Sequence, residues 1–210
     1  MPKHYFVTGI STGVGKTVIS ALFCEHFKAD YFKPVQTGYP PDRDSEWIKQ
    51  IVSYNIITHP ENYLLKLPAS PHLAAQRENV VIDFNKIHLP DTSNTLILEG
   101  AGGLLVPLNE QFYIADLIKK FQSECILVVS NYLGCINHSL LSLYYLYNEN
   151  IPVKCVVFNG NFEEEVKHAI LNKIKKSTII IRIPRFENLD RSTFQQLFSI
   201  FKNEMSRYEL

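Results

Sequence analysis

The chain has 210 residues, 46% of them hydrophobic and 20% charged, the make-up of a globular protein with a sizeable core rather than of a disordered one. Lys plus Arg number 21 and Asp plus Glu number 21, so the formal charge is zero and no global field draws nucleic acid or an anionic membrane surface. No apolar run nears the roughly 20 residues that span a bilayer, and the opening from Met1 to Phe6 lacks the long apolar stretch of a secretory signal. A cytoplasmic protein with neither nucleic acid nor membrane as partner is expected.

Apolar stretches rich in Val, Ile and aromatics alternate with helical periods, the rhythm of βα units that cover both faces of a parallel sheet. The expectation is an α/β fold, one domain over residues 1–210, with a mostly parallel sheet and helices on both faces. His4 to Thr8 is the first predicted strand. Thr17 to Lys28 then spaces Val18, Ile19, Ala21, Leu22 and Phe23 as a buried helix does. Tyr31 to Val35 reads as the next strand, and residues 36–46 as a loop holding Gly38, Pro40 and Pro41. Beyond that loop Trp47, Ile48, Ile51 and Val52 resume the helical period, with Asp44 at the helix start, where an N-cap role is one use for it.

Between 55 and 95, Pro60, Pro68, Pro71 and Pro90 divide short helical candidates such as His72 to Gln76 and Phe84 to His88, and boundaries stay open. Buried strands follow at Thr95 to Glu99, Cys125 to Ser130, Val153 to Phe158 and Thr178 to Ile183. Helices separate and follow them at Ile114 to Phe121, Ile136 to Tyr147, Glu163 to Ile174 and Ser192 to Phe201, which gives a sheet of about six or seven strands. Cys24, Cys125, Cys135 and Cys155 form no CxxC pair and read as reduced thiols without a metal.

The strongest local signal is Gly9-Ile10-Ser11-Thr12-Gly13-Val14-Gly15-Lys16-Thr17, which follows a predicted strand and opens a predicted helix, the context of a P-loop NTPase. Glycines let backbone N–H groups turn toward phosphates, the helix start adds its dipole, Lys16 reaches the terminal phosphates, and the Thr17 hydroxyl suits magnesium. The spacing is a variant, since the usual pattern would put its first glycine at Ile10 rather than Gly9. ATP is the expected ligand. Ligands of open parallel sheets bind beyond the carboxyl ends of the strands, so Lys33 to Gly38, Glu99 to Gly103, Gly134 to Asn137 and Asn159-Gly160 are the other candidates. Glu99, ending a buried strand opposite the loop, suits magnesium. Lys33, in or just after an apolar strand, needs an anionic partner unless it reaches solvent. The head of the helix after Gly134 can accept an anion, and Asn159 offers a donor and an acceptor to a base edge or else makes a plain turn.

Taken together the motifs resemble the dethiobiotin synthetase family, in family order along most of the chain. They are Tyr5 to Gly9, Gly13 to Thr17, Lys33-Pro34-Val35-Gln36-Thr37-Gly38, Ser70-Pro71-His72, Glu99-Gly100-Ala101-Gly102-Gly103 and Leu133 to His138. That family shares the longer Gly9 spacing. The resemblance implies that 7,8-diaminononanoate, CO2 and ATP give dethiobiotin, ADP and phosphate, through a carbamate and its phosphoric anhydride. It further implies that Lys16 and Lys33 neutralise charge as the anhydride forms. Nucleotide would be held by Thr12, Gly13, Val14, Gly15, Lys16, Thr17, Val18, Asp44, Glu99, Gly100, Ala101, Gly102, Asn159, Gly160 and Pro184, with Asn159 reading adenine. Substrate would be held by Thr37 and, from across a homodimer interface, by Gly134, Cys135, Ile136 and Asn137 at its carboxylate. Magnesium (Mg2+) would be held by Thr17, Asp44 and Glu99. Asp44-Ser45-Glu46 leaves the third ligand ambiguous, with Asp44 preferred because Trp47 and Ile48 then share one helical face.

Two other classes compete. A partitioning ATPase that dimerises around ATP would carry a signature lysine where Ser11 stands, and often a basic surface or an amphipathic tail, neither of which is present. An ATP-dependent amide ligase, or a relative with another amine substrate, would turn over without releasing dethiobiotin.

Overall fold

A computed structural model describes residues 3–186 and 188–208. Its main sheet has seven strands, and every pairing between them is parallel. In chain order they are β1 (His4–Gly9), β2 (Asp30–Phe32), β4 (Thr58–His59), β6 (Leu96–Gly103), β7 (Glu124–Ser130), β8 (Val153–Asn159) and β9 (Ile179–Ile183). Across the sheet the order is β4-β2-β6-β1-β7-β8-β9. The chain moves from β1 to one side and later returns to place β6 beside it, then continues with β7 on the other side. The switch therefore falls at β1, and the crevice beyond its carboxyl end is where such sheets take ligands. The central strands read as continuous apolar runs because both faces are covered: Phe6, Val7, Leu96, Ile97, Leu98, Ile126 and Leu127 are fully buried.

The helices are α1 (Lys16–Phe27), α2 (Asp44–Ile51), α3 (Pro71–Arg77), α4 (Ile114–Lys120), α5 (Cys135–Asn148), α6 (Glu164–Leu171) and α7 (Arg191–Met205). Pro71 opens α3, where its missing N–H would have had no intrahelical partner. Asp190 caps α7 by accepting from the Thr193 N–H at 2.8 Å, so this helix starts just before the expected Ser192 and runs on past Phe201.

Four expectations are corrected. The strand expected over Tyr31 to Val35 is two strands, because the chain leaves the main sheet at Lys33-Pro34. The Pro34 carbonyl accepts from Asn62 and Tyr63 N–H at 2.9 and 3.1 Å, which starts a separate ribbon of β3 (Val35–Gln36) and β5 (Tyr63–Leu64). Pro34 has no N–H to continue the first ladder. Phe84 to His88 makes only one turn of 3₁₀ helix, Phe84–Lys86, closed by the Asp83 carboxylate accepting from Asn85 N–H at 2.9 Å. The helix expected to reach Ile174 ends at Leu171. Asp44 is the first residue of α2, after Arg43 at the N-cap, and its carboxylate points to Lys33 rather than to the helix backbone.

Candidate active site

A cleft of about 640 Å³ opens beyond the carboxyl ends of β1 and β6. Its floor is the loop between β1 and α1, with Thr12, Gly13, Gly15, Lys16, Thr17 and Val18 on the wall. Gly15 takes a left-handed φ of +93°, and a Cβ there would collide with the Asn159 amide. That amide sits at the end of β8 and donates from Nδ2 to the Val14 carbonyl at 2.9 Å. Asn159 thus ties the loop to the sheet, a role that motif spacing does not reveal.

The opposite wall brings Lys33, Gln36, Thr37 and Asp44 from the β2–α2 segment against Glu99, Ala101 and Gly102 from β6. Lys33 and Glu99 are 6% and 1% exposed, so each needs a partner of opposite charge. Lys33 Nζ pairs with Glu99 Oε1 at 3.1 Å and with the Asp44 carboxylate. Glu99 Oε1 also accepts from Thr17 Oγ1 at 2.9 Å, and Glu99 Oε2 accepts from the Tyr31 hydroxyl at 2.9 Å. Lys16 Nζ donates to the Ser11 carbonyl at 3.2 Å.

The two lysines differ in electrostatic state. Burial lowers the Lys16 pKa to about 8, with Lys33 adding to the effect and Glu99 and Asp44 opposing it. For Lys33 burial also pulls down, but contact with both carboxylates outweighs it and keeps the ammonium charged. Burial acts upward on Glu99, yet Lys33 and Lys16 hold its carboxyl below the ordinary range, whereas burial and then the Glu99 charge push Asp44 up.

The donor set suits a hard divalent cation. The Thr17 hydroxyl and the Asp44 and Glu99 carboxylates are oxygen donors from three separate elements; the two carboxylates already hold a cation, the Lys33 ammonium, and Thr17 donates to one of them. Glu46, the alternative to Asp44, is aimed instead at Arg43, 3.4 Å away.

The remaining expected residues are dispersed. Val14 is buried beneath the loop. A Cβ on Gly100 would meet Phe6 and Ile114 at 2.9 Å, so this glycine packs against the core behind the cleft wall. Gly160 and Pro184 line a separate recess at the ends of β8 and β9 with Lys167 and Arg182. Gly134, Cys135, Ile136 and Asn137 do not line the cleft. They open α5, where the Cys135 N–H already donates to the Tyr132 carbonyl at 2.9 Å, so by helix geometry the N–H groups of Ile136 and Asn137 remain for an anion.

Three features escape a reading of sequence alone. Gln36 lines the cleft and its Oε1 accepts from the Asp44 N–H at 3.3 Å, which anchors the start of α2. Arg43 Nε donates to both oxygens of the buried Glu61 carboxylate at 3.0 and 3.1 Å, and Ser45 Oγ donates to it at 2.9 Å. This clamp fixes the turn that carries Asp44. Ser70 and Pro71, part of the Ser-Pro-His motif given no role above, close the cleft beside Thr37. Among the described residues no helix is long and apolar enough to cross a membrane.

Comparison with known proteins places this geometry in a family. A family model described as an AAA domain matches residues 3–193. ATP-dependent dethiobiotin synthetase from Christiangramia forsetii is 40% identical over 206 residues, 98% of this chain and 99% of its own. The enzyme of the same name from Cytophaga hutchinsonii is 51% identical over 171 residues, 80% and 82% of the two chains. Among solved structures, a plasmid partition protein from Borrelia burgdorferi bound to AMPPNP superposes with a TM-score of 0.58 at 11% identity, covering 98% of both chains. A ParA family ATPase from Chlorobium tepidum superposes with a TM-score of 0.54 at 13% identity, covering 98% of this chain and 92% of its own. These structural likenesses speak for the P-loop sheet alone, whereas the sequence relatives span the cleft motifs as well, and on that ground the chain belongs to the dethiobiotin synthetase family.

Proposed function

We infer that the protein closes 7,8-diaminononanoate and CO2 into the cyclic urea dethiobiotin at the expense of ATP. The observation that carries this reading is the pair of buried lysines, Lys16 and Lys33, facing one cleft beside Glu99 and behind a phosphate-binding loop. One amine of the substrate adds to CO2 and loses a proton, giving a carbamate. A carbamate oxygen then attacks the γ-phosphorus of ATP and ADP departs. The second amine attacks the carbamoyl carbon of the resulting anhydride, the urea ring closes and phosphate leaves.

This chain contributes position and charge. Backbone N–H groups from Gly13 to Lys16 line up for the phosphates, with the α1 dipole behind them. Lys16 meets the β- and γ-phosphates, and Lys33 faces the carbamate and γ-phosphoryl oxygens, where negative charge accumulates in the transition state. Thr37 would contact the diamine, and Asn159 would read adenine, with Gly160 and Pro184 beside the base. Thr17, Asp44 and Glu99 would hold magnesium, which when bound neutralises phosphate charge.

The protein acts as a homodimer on this reading. Leu133 just before α5 and Leu141 and Tyr144 along it are exposed, an apolar surface suited to a second copy. Gly134 to Asn137 stand outside their own cleft, so a partner copy is the natural recipient of their carboxylate-binding N–H groups. Cytoplasmic location follows from the biosynthetic role. The test is mass spectrometry of purified protein with 7,8-diaminononanoate, bicarbonate, magnesium and ATP, each omitted in turn. Dethiobiotin forming only in the complete mixture is expected; no product from folded, ATP-binding protein overturns the assignment.

A further inference from the structure

Tyr31 lies on β2 at a fully buried position, beside the apolar Leu96, Ile97 and Leu98 of β6. A phenylalanine would fill that space and bring no hydroxyl to bury, and the next residue is Phe32. The hydroxyl reaches Glu99 Oε2 at 2.9 Å, across a register in which Tyr31 pairs with Ile97, two residues before Glu99 on the same face of β6. The two oxygens of Glu99 are thereby divided. Oε2 is engaged from beneath by Tyr31, while Oε1 faces the cleft and takes Thr17 at 2.9 Å and Lys33 at 3.1 Å.

We propose that Tyr31 is a positioning residue that fixes the Glu99 carboxylate so that only Oε1 is presented to the metal and phosphates. It touches neither substrate nor nucleotide and acts through Glu99. The proposal rests on the magnesium role given to Glu99 above. Outer partners of this kind set the rotamer and basicity of a ligand, and their loss typically weakens metal binding about ten- to a hundred-fold. Without the hydroxyl the carboxylate is free to rotate, to bring both oxygens forward, or to shift toward Lys33.

The test compares Tyr31→Phe with the parent protein by Mn2+ titration followed by electron paramagnetic resonance, with a saturating non-hydrolysable ATP analogue and no diamine. Leaving out the diamine separates this result from the assignment of the reaction. The expected result is Mn2+ binding weakened about ten-fold, with metal-free affinity for the analogue unchanged, and KM for magnesium raised while kcat at saturating metal is retained. In a Glu99→Gln background Tyr31→Phe should cause no further loss. Unchanged Mn2+ affinity in a folded Tyr31→Phe protein overturns the proposal, as does an equal loss in the Glu99→Gln background. If the phenylalanine variant does not fold, 3-fluorotyrosine placed at position 31 supplies the test: its ¹⁹F resonance should stay that of a buried ring yet move when Mg2+ and analogue are added, because the Glu99 carboxylate it bonds changes its other partner. A resonance unmoved by Mg2+, or one that becomes that of a solvent-exposed fluorotyrosine, would overturn the role equally.

Discussion

Replacing Lys33 by Met keeps the aliphatic volume and removes the charge that Asp44 and Glu99 share. Glu99 is 1% exposed, with only Oε1 turned to the cleft, whereas the Asp44 side chain is 26% exposed and can turn further to solvent. Removing one partner of a buried ion pair costs about 3–5 kcal/mol, and partial escape of Asp44 puts the expected loss near the lower end, about 3 kcal/mol at pH 7. The pH dependence gives a sharper signature. In the parent protein the Glu99 carboxyl is held below its ordinary value, so its ionised form contributes stability above the unfolded value of about 4.3, lost as pH falls through the folded value. Without Lys33 burial is opposed only weakly and both folded pKa values rise: the Glu99 contribution reverses sign, and the penalty that Asp44 already carries deepens, each growing as pH rises above the unfolded value. Urea denaturation from pH 4 to 8, in the absence of metal, should therefore show a small stability gap at pH 4 that widens to the full value by pH 7. A gap constant across that range, or below about 1 kcal/mol at pH 7, would refute the ion-pair reasoning. In the same variant ATP binding should persist through Lys16, while turnover should fall about 10²–10³-fold if Lys33 stabilises the transferring phosphoryl group.

Other outcomes follow from neighbouring groups. Gly15→Ala forces a Cβ at φ +93° into the Asn159 amide, and calorimetry should find ATP binding abolished in a protein whose circular dichroism is preserved. Binding of ATP should raise the Lys16 pKa from about 8, so calorimetry in buffers of different ionisation enthalpy should detect proton uptake at pH 9 and almost none from this group at pH 6.5. Uptake that is equal at both pH values would exclude Lys16 as its source. Glu61→Gln breaks the charge clamp on Arg43; KM for magnesium should rise, with kcat at saturating magnesium nearly unchanged, because Asp44 is displaced rather than removed.

Much of the fold was legible because buried parallel strands are continuous apolar runs, so β6, β7, β8 and β9 stand out wherever both faces are covered. The phosphate loop was legible because its glycines and lysine serve chemistry that tolerates few substitutes. The break at Lys33-Pro34 was hidden, since Tyr31 to Val35 is apolar enough to pass for one strand and only the lack of an N–H at Pro34 argues otherwise. Strands as short as Thr58–His59 and Tyr63–Leu64 carry no period to detect. Within the site, Lys33 was suggested by the expense of burying its charge at a strand end, and Glu99 by its place at the close of an apolar run opposite the phosphate loop, although β6 carries on past it to Gly103. The Arg43–Glu61 clamp and the Tyr31–Glu99 bond were not, because these contacts bridge 18 and 68 positions of sequence and leave no trace in local pattern.

Oxygen transfer tests the central claim most directly. In bicarbonate labelled with ¹⁸O and unlabelled water, sampled before the label exchanges with solvent, phosphorylation of a carbamate oxygen followed by ring closure leaves one ¹⁸O in the released phosphate and one in the dethiobiotin carbonyl. Phosphate carrying a single label in step with dethiobiotin is the predicted result; dethiobiotin accompanied by unlabelled phosphate would contradict the account.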